Sequence, residues 1–520
     1  MNKNEKALEG FSSGKISTAV FRNAIPAMAA MLMVLIYNLA DTFFIGRTHD
    51  DLQVAAVSLA TPVFLLFMAT GTIFGIGGTS VISRAMGQGR KDYARRVSAF
   101  CMWACVAVGL LMSLLFWLLM DPILTLVGAS ADTWDYAKSY LNIVTACGPF
   151  VLIANCYSNV LRAEGQSAKA MMGMLIGNLL NVILDPIMIL WLGWDIQGAA
   201  IATVIGNLVG ALYYILYFLK GGSMLSIHPR DFTLRGGVCT GVLAIGIPAS
   251  LGSLMMSVSQ IVMNSQMTRY GDMAVAGIGV AMKVTMMTGM VCIGLGQGVQ
   301  PLLGYCVGAR NWERYKKVLR FSLVFALLLG AALTGMCYLF TEQIVRAFLT
   351  DADALDFGVR FSRILLSTSA LFGVFYVLTN ALQAMGAATP SLIINLSRQG
   401  LIYIRPVPAG GGPGRHRPDL GPAGGRCAVP PAGGGAVCAP VPENAPGGGA
   451  ARWRINTGKR PQSRLCPLWF LFLFPLFSNI PSGNAHASAW VFPRFGAVCP
   501  TPVGDGVIDV PPVRFYAPHP

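Results

Sequence analysis

The chain of 520 residues is 54% hydrophobic and only 12% charged, with a mean hydropathy of +0.59 and a net charge of +15. A water-soluble domain carries about twice that charged share, which excludes a soluble enzyme or binding module. Eleven Lys/Arg against four Asp/Glu fall after residue 404, leaving +8 on the first 404 residues, dispersed over loops. A nucleic-acid binder would gather such charge on one soluble face.

The polar start "MNKNEKALEGFSSGKIST" lacks a short apolar core followed by a cleavage site, so the first apolar run is expected to remain as a membrane helix. Residues 1–16 read as an N-terminal tail. Apolar runs then follow at 21–46, 54–80, 97–120, 137–161, 170–192 and 197–219, and again at 241–267, 274–299, 318–340, 360–382 and 390–404. Runs of this kind cross a hydrocarbon core of about 30 Å. The expected fold is an all-α polytopic membrane protein. Residues 17–220 form a first lobe, 221–240 an inter-lobe loop, and 241–404 a second lobe whose last helix is cut short.

Loop charges set the orientation. Arg84, Arg90, Lys91, Arg95 and Arg96 lie in one loop, Lys220, Arg230 and Arg235 in a second, and Arg310, Arg314, Lys316, Lys317 and Arg320 in a third. The alternate loops hold Asp50 and Asp51, then Asp121, Asp132 and Asp135, then Asp195, then Asp351, Asp353 and Asp356. The positive-inside rule places the N-terminus and the basic loops in the cytoplasm of a cell whose plasma membrane the chain spans. The eight cysteines before residue 405 contain no CxxC pair and sit mostly in apolar runs, as reduced, buried thiols do.

An internal repeat runs through the chain. "RAMGQGRKDYARRV" (84–97) aligns with "YCVGARNWERYKKV" (305–318), and "NVLRAEGQSAKA" (159–170) with "NALQAMGAATPS" (380–391), both at an offset of 221. Ile25-Pro26 matches Ile247-Pro248 within one residue, and "GTIFGIGG" and "GLGQGVQP" enrich the second helix of each half in glycine. No strand precedes these glycines and no GK[ST] follows them, so they are expected to serve helix packing rather than phosphate binding. No HExxH or GxSxG occurs, and the reading is of a non-enzyme that uses no ATP. Duplicated groups of six helices flanking a cleft are a transporter architecture.

The repeat also demands a twelfth span. Where the first half continues with "GWDIQGAAIATVIGNLVGALYYILYFLK", the second has "RPVPAGGGPGRHRPDLGPAGG", and 21 of the 30 prolines lie in residues 405–520. No spanning helix survives such a proline density. Codons for His416–Gly424, read one base later, permit T-G-L-I-W-A-Q-P, a string resembling "QGAAIATV" of the first half. The expectation is a frameshift just before Arg405, the alternative being a natural Pro/Gly-rich disordered tail.

Ionisable groups inside spans are costly and mark function. Asp41 lies in "LIYNLADTFFIGR" and Asp185 in "GNLLNVILDPIMIL", with Asn181 four residues before Asp185 and Asn178 one turn earlier. Asn155 and Asn159 share a face of the fourth helix, and Thr203 and Asn207 a face of the sixth. Oxygen ligands around two carboxylates suit a proton or a hard cation such as Na+, held by Asp41, Asp185 and Asn181. The competing reading has Asp41 closing a span at the outer interface and Asp185 leading into the polar "WLGWDIQG" loop. At the repeat equivalents the second half has Met263-Asn264 and no matching acid. Cleft polarity for a substrate is expected from Asn159, Asn178, Gln260, Asn264, Gln297 and Gln300. Lys283, deep in a span, either pairs with a substrate or carbonyl or snorkels to the surface.

"YNLADTFFIG", "LRAEGQSAKA" with "GNLLNVILDP", and "GQGVQPLLGYCVGARN" together resemble the multidrug and toxic compound extrusion (MATE) family over residues 15–404. The resemblance implies twelve helices in two six-helix lobes, and export of organic, often cationic compounds in exchange for Na+ or H+, with no other cofactor. It implies a coupling ion in the first lobe, at positions matching Asp41, Asn181 and Asp185, with Asn155 and Thr203 beside them. A branch with an acid on helix seven is disfavoured, because 241–267 contains none. The protein is expected to act as a monomer in the bilayer on small organic molecules, with no nucleic-acid partner. A lipid-linked saccharide flippase and a channel-type or sensory membrane protein are the alternatives.

Overall fold

A computed structural model describes residues 10–46, 51–267, 272–346, 348 and 352–396, and every regular element among them is helical. Contacts divide the chain after Asn456; residues 457–520, with the rest of the Pro/Gly-rich tail and the end of the eleventh span, lie outside the described residues. The first half contains α1 (Ile16–Gly46), α2 (Asp51–Gly87), α3 (Lys91–Leu118), a short α4 (Met120–Val127), α5 (Ala131–Ala146), α6 (Gly148–Ala163), α7 (Ser167–Pro186) and α8 (Asp195–Leu219). The second contains α9 (Val238–Met267), α10 (Asp272–Gly308), α11 (Trp312–Leu339), α12 (Thr341–Arg346), α13 (Ala352–Ser369), α14 (Phe372–Met385) and α15 (Ala388–Leu396).

Eight of these helices are long and apolar enough to cross a membrane, and two bent pairs raise the number to ten. The single spans expected over 137–161 and 360–382 are in fact pairs, α5/α6 bent by 56° and α13/α14 by 44°. In the first pair the chain leaves helical geometry at Cys147, and Pro149 supplies no N–H to carry the ladder across.

The repeat is written into the helix boundaries. α2 and α3 begin and end 221 residues before α10 and α11, and α4 and α7 begin 221 residues before α12 and α15. Gly165 and Gly386 follow the bent spans of the two halves with φ of +80° and +81°, a left-handed turn that other residues enter only with strain. Gly75 packs under the Asn159 amide of its own half, and Gly296 under Asn380 in the other. The glycine-rich runs thus serve close packing, as small residues do where helices approach without a solvent-driven force.

The halves meet along a seam between the N-terminal parts of α1 and α9 and the C-terminal parts of α2 and α10. Gly87 faces the Tyr305 carbonyl and Gly308 the Arg84 carbonyl; Gly77 faces Val242 and Gly246 faces Ile73. Gly294 and Gly298 lie against the backbone of Met28 and Ala24. A Cβ at any of the six would stand 2.0–2.6 Å from that backbone. All six are at the end of the bundle from which α1 starts. One further tie crosses at this end: the Ser80 hydroxyl donates to the Gln383 carbonyl at 2.5 Å.

Two connecting segments are pinned to opposite halves. Arg314, at the start of α11, donates from Nε to the Phe11 carbonyl at 2.7 Å and from Nη2 to those of Gly10 and Gly14 at 3.1 and 2.8 Å. Phe11 is buried edge-on against Tyr305. The N-terminal tail, expected as a plain polar lead-in, is therefore docked on the second half from Gly10 onward. The 221–240 loop lies on the first half: Trp103 Nε1 donates to the Ile227 carbonyl at 3.2 Å, and Phe232 stacks on Phe100.

The same loop is held by Glu164, whose carboxylate accepts from the Ser223 hydroxyl and the Met224 N–H, both at 2.5 Å. Burial pushes this carboxyl up to about 7, against the opposing pull of the two donors. The unfolded chain ionises nearer 4.5, so between these values the unfolded state binds fewer protons and stability falls as pH rises. Glu164→Gln, which cannot ionise, is expected to flatten that fall. Thermal melts of both proteins in detergent between about pH 4.5 and 7.5 check it, and identical slopes would refute it.

Candidate ion-coupling site

The carboxylates are positioned by the packing of α7 on α8. Ser167, Ala170, Gly173, Gly177, Asn181 and Asp185 form one buried stripe along α7. Gly177 faces the Gly206 carbonyl of α8 and Gly206 faces the Gly177 carbonyl, so the two backbones nearly touch. One turn further along, that approach brings Thr203 of α8 against Asn181. The Asn181 Nδ2 donates to Thr203 Oγ1 and to Asp185 Oδ1, each at 3.4 Å. Asp185 is fully buried, and Asn181 and Thr203 nearly so. Beyond Pro186 the helix loosens into a π turn, Ile187–Trp191, closed by the Leu192 N–H to the Ile187 carbonyl at 2.9 Å. Such turns are frequent at functional sites.

Asp41 comes from α1, with Tyr37 four residues earlier on the same face. Asp41, Asp185, Tyr37 and Tyr140 of α5 lie in one neighbourhood, with Thr203 beside Tyr140. Three oxygens in this cluster, Asp41 Oδ1, Asn181 Oδ1 and Asp185 Oδ2, are buried without a hydrogen-bond partner. Two nearby carboxyls resist ionising together unless a proton or a cation sits with them. An all-oxygen set with orphaned acceptors has the chemistry for either.

The other sequence-derived candidates distribute differently. Asn155 turns to α2, accepting from Thr72 Oγ1 at 3.3 Å and donating from Nδ2 to Met68 Sδ at 3.7 Å. Asn159 is buried and accepts from Arg162. Asn178 is half-buried on α7 beside the Asn181 stripe. Gln300 is 1% exposed with its amide nitrogen unpartnered. Lys283 is exposed, its Nζ 5.6 Å from the centre of the Phe348 ring. Gln260 and Asn264 fall in α9, outside the residues whose side chains are described. Sequence reasoning passed over Tyr37 and Tyr140; the i, i+4 spacing of Tyr37 and Asp41 was the available signal for the first. It also passed over Arg162, buried at the end of α6, because the residue falls just beyond the apolar run.

A polytopic helical bundle with duplicated halves and intramembrane carboxylates defines a secondary-transporter type of membrane protein. The MatE family profile matches residues 26–187 and 248–406. The multidrug export protein MepA of Staphylococcus aureus (strain MSSA476) is 30% identical over 402 residues, covering 77% of this chain and 88% of that protein. Among solved structures, an outward-facing multidrug resistance MATE family transporter of the MOP superfamily is 26% identical with a TM-score of 0.73, over 77% of this chain and 89% of that one. A MOP superfamily transporter from Pyrococcus furiosus, described by a reversed polarity of its binding pocket, is 27% identical with a TM-score of 0.69, over 77% and 88%. The chain belongs to the MATE transporter family.

Proposed function

We propose that the chain is a secondary active multidrug efflux antiporter of the plasma membrane, exporting organic, often cationic compounds in exchange for Na+ or H+. The observation that carries the reading is the cluster of Asp41, Asp185 and Asn181, each with one buried oxygen that has no hydrogen-bond partner. The relatives' names, multidrug export and multidrug resistance, support the substrate class. The N-terminus and the closed seam are assigned to the cytoplasm, with the protein acting as a monomer. In this arrangement the cleft between the halves opens outward. A coupling ion enters between Asp41 and Asp185, and its binding must favour one of the two open states for exchange to be driven. α1 is the structural link, carrying Asp41 toward one end and the seam residues Ala24–Met28, with Pro26 among them, toward the other.

The frame is proposed to break just before Arg405, since the repeat calls for one more span where the sequence turns to Pro and Gly. Resequencing the DNA around codon 404 tests this directly. For function, the full chain and its frame-restored counterpart are reconstituted side by side in vesicles loaded with a cationic dye. An imposed Na+ or H+ gradient is expected to expel dye through the frame-restored protein. Dye movement indifferent to both gradients would overturn the antiport reading.

A further inference from the structure

Arg162 is 1% exposed, yet its hydrogen bonds run only to neutral groups. Its Nη1 donates to Asn159 Oδ1 and to Gln297 Oε1, both at 2.8 Å; Nη2 donates to Met174 Sδ at 3.4 Å, and Nε has no partner. Among the described residues it forms no salt bridge. The adjacent acid, Glu164, spends both oxygens on the 221–240 loop. A cation taken out of water and met by neutral dipoles alone is costly to keep, so each acceptor matters more than in an ordinary hydrogen bond.

The acceptors come from different places. Asn159 sits one turn back on Arg162's own helix and moves with it. Gln297 sits on α10, in the other half. The guanidinium therefore has both strong acceptors only while this end of the bundle is shut. At the repeat-related position, 221 residues on, stands Gln383, whose tie across the seam is made by its carbonyl with Ser80. Of this repeat-related pair of ties, which cross in opposite senses, only Arg162's carries a charge; Arg314 holds the segment ahead of α1.

We propose that Arg162 is the charged latch of the closed end and that the Gln297 amide is the group it engages. Opening this end would trade Gln297 for water around the guanidinium, which makes the latch releasable rather than a permanent bolt. The proposal rests on the alternating-access part of the functional reading, not on the substrate or the coupling ion.

The chain contains its own reporters. Cys306 is 1% exposed in a cluster that joins Phe11, Val20 and Ala24 of the first half to Leu302, Val318 and Ala381 of the second. Cys101, Cys105 and Cys156 are fully buried inside the first half. Maleimide labelling of the full chain in lipid nanodiscs, read peptide by peptide by mass spectrometry, separates gate opening from unfolding. Gln297→Leu is expected to raise the labelling rate of Cys306 about tenfold or more, because the closed state must then bury the cation with one strong acceptor fewer, while the three first-half thiols stay protected. In an Arg162→Met background the same Gln297→Leu change is expected to raise it less than about twofold, no charge being left to strand. An unchanged Cys306 rate, or an equal rise in both backgrounds, would overturn the latch. If Arg162→Met labels at all four thiols, and so is unfolded, Arg162→Gln takes its place and the same comparison decides. Loss of gradient-driven efflux would leave this thiol comparison untouched, so the latch and the antiport reading fail separately.

Discussion

Asp41→Asn and Asp185→Asn, each made in the frame-restored protein, are expected to cut gradient-driven dye efflux about tenfold to a hundredfold, the usual span of coupling between two sites. Asparagine keeps the volume and one acceptor of the carboxyl, so the packing around Asn181 and Thr203 is preserved. What disappears is the negative charge that attracts a cation, or the group that takes up a proton. Asp185 is the more sensitive of the two, being fully buried and directly bonded to Asn181. Asp41 is half-buried, but it is the acid that links the cluster to α1 and through it to the seam. Wild-type efflux in both mutants, with unchanged melting temperatures, would remove these residues from the coupling step. Running the measurement under separate Na+ and H+ gradients also decides which ion is used.

Gly308→Leu is expected to hold the closed seam open. The added Cβ would stand 2.0 Å from the Arg84 carbonyl, and the repeat-related Gly87 meets the Tyr305 carbonyl at 2.2 Å in the same way. Both obstructions are backbone atoms and cannot rotate aside. Overpacking of a tight contact typically costs about 1–3 kcal/mol, and here the strain is relieved simply by parting the halves. The prediction is therefore specific: Cys306 becomes reactive, Cys101 and Cys156 do not, and efflux is lost because the outward-open state is no longer reached. Gly279, where a Cβ would meet no atom within 4 Å, is the control; Gly279→Ala should behave as wild type. Normal efflux and a protected Cys306 in Gly308→Leu would show that the seam does not need to close this tightly.

Much of the fold was legible because membrane spans announce themselves by length and apolarity, and because the repeat keeps a constant offset through charged loops as well as helices. The acids were legible for a related reason: a carboxyl in an apolar run has no cheap explanation, and Asn181 lies four residues before Asp185. The bends were less visible. Pro149 marks the first, but the break at Ala370–Leu371 has no proline to announce it. Tyr37 and Tyr140 escaped because tyrosine is ordinary in a membrane helix and its hydroxyl earns meaning only from what stands opposite. Lys283 looked deep by position along α10, yet it is exposed, with its ammonium over the Phe348 ring. Arg162 shows the converse: it ends a helix, where cations are common, and is buried where Met174 of α7 and Gln297 of the other half's α10 meet it.

The two pinned segments decide from which side a foreign domain would meet the joint between the halves. A protein fused ahead of Gly10 begins at carbonyls that Arg314 holds against the second half, a few residues from the start of α1 in the first. Its bulk would be delivered to the moving joint. Between Gly236 and Gly237, both in left-handed turns and exposed, the chain has left the Phe100 and Trp103 anchors of the first half and not yet entered α9. A fluorescent reporter inserted there would sit one residue ahead of α9, whose Val242 meets Gly77 in the seam, and would watch the joint from the side of the second half.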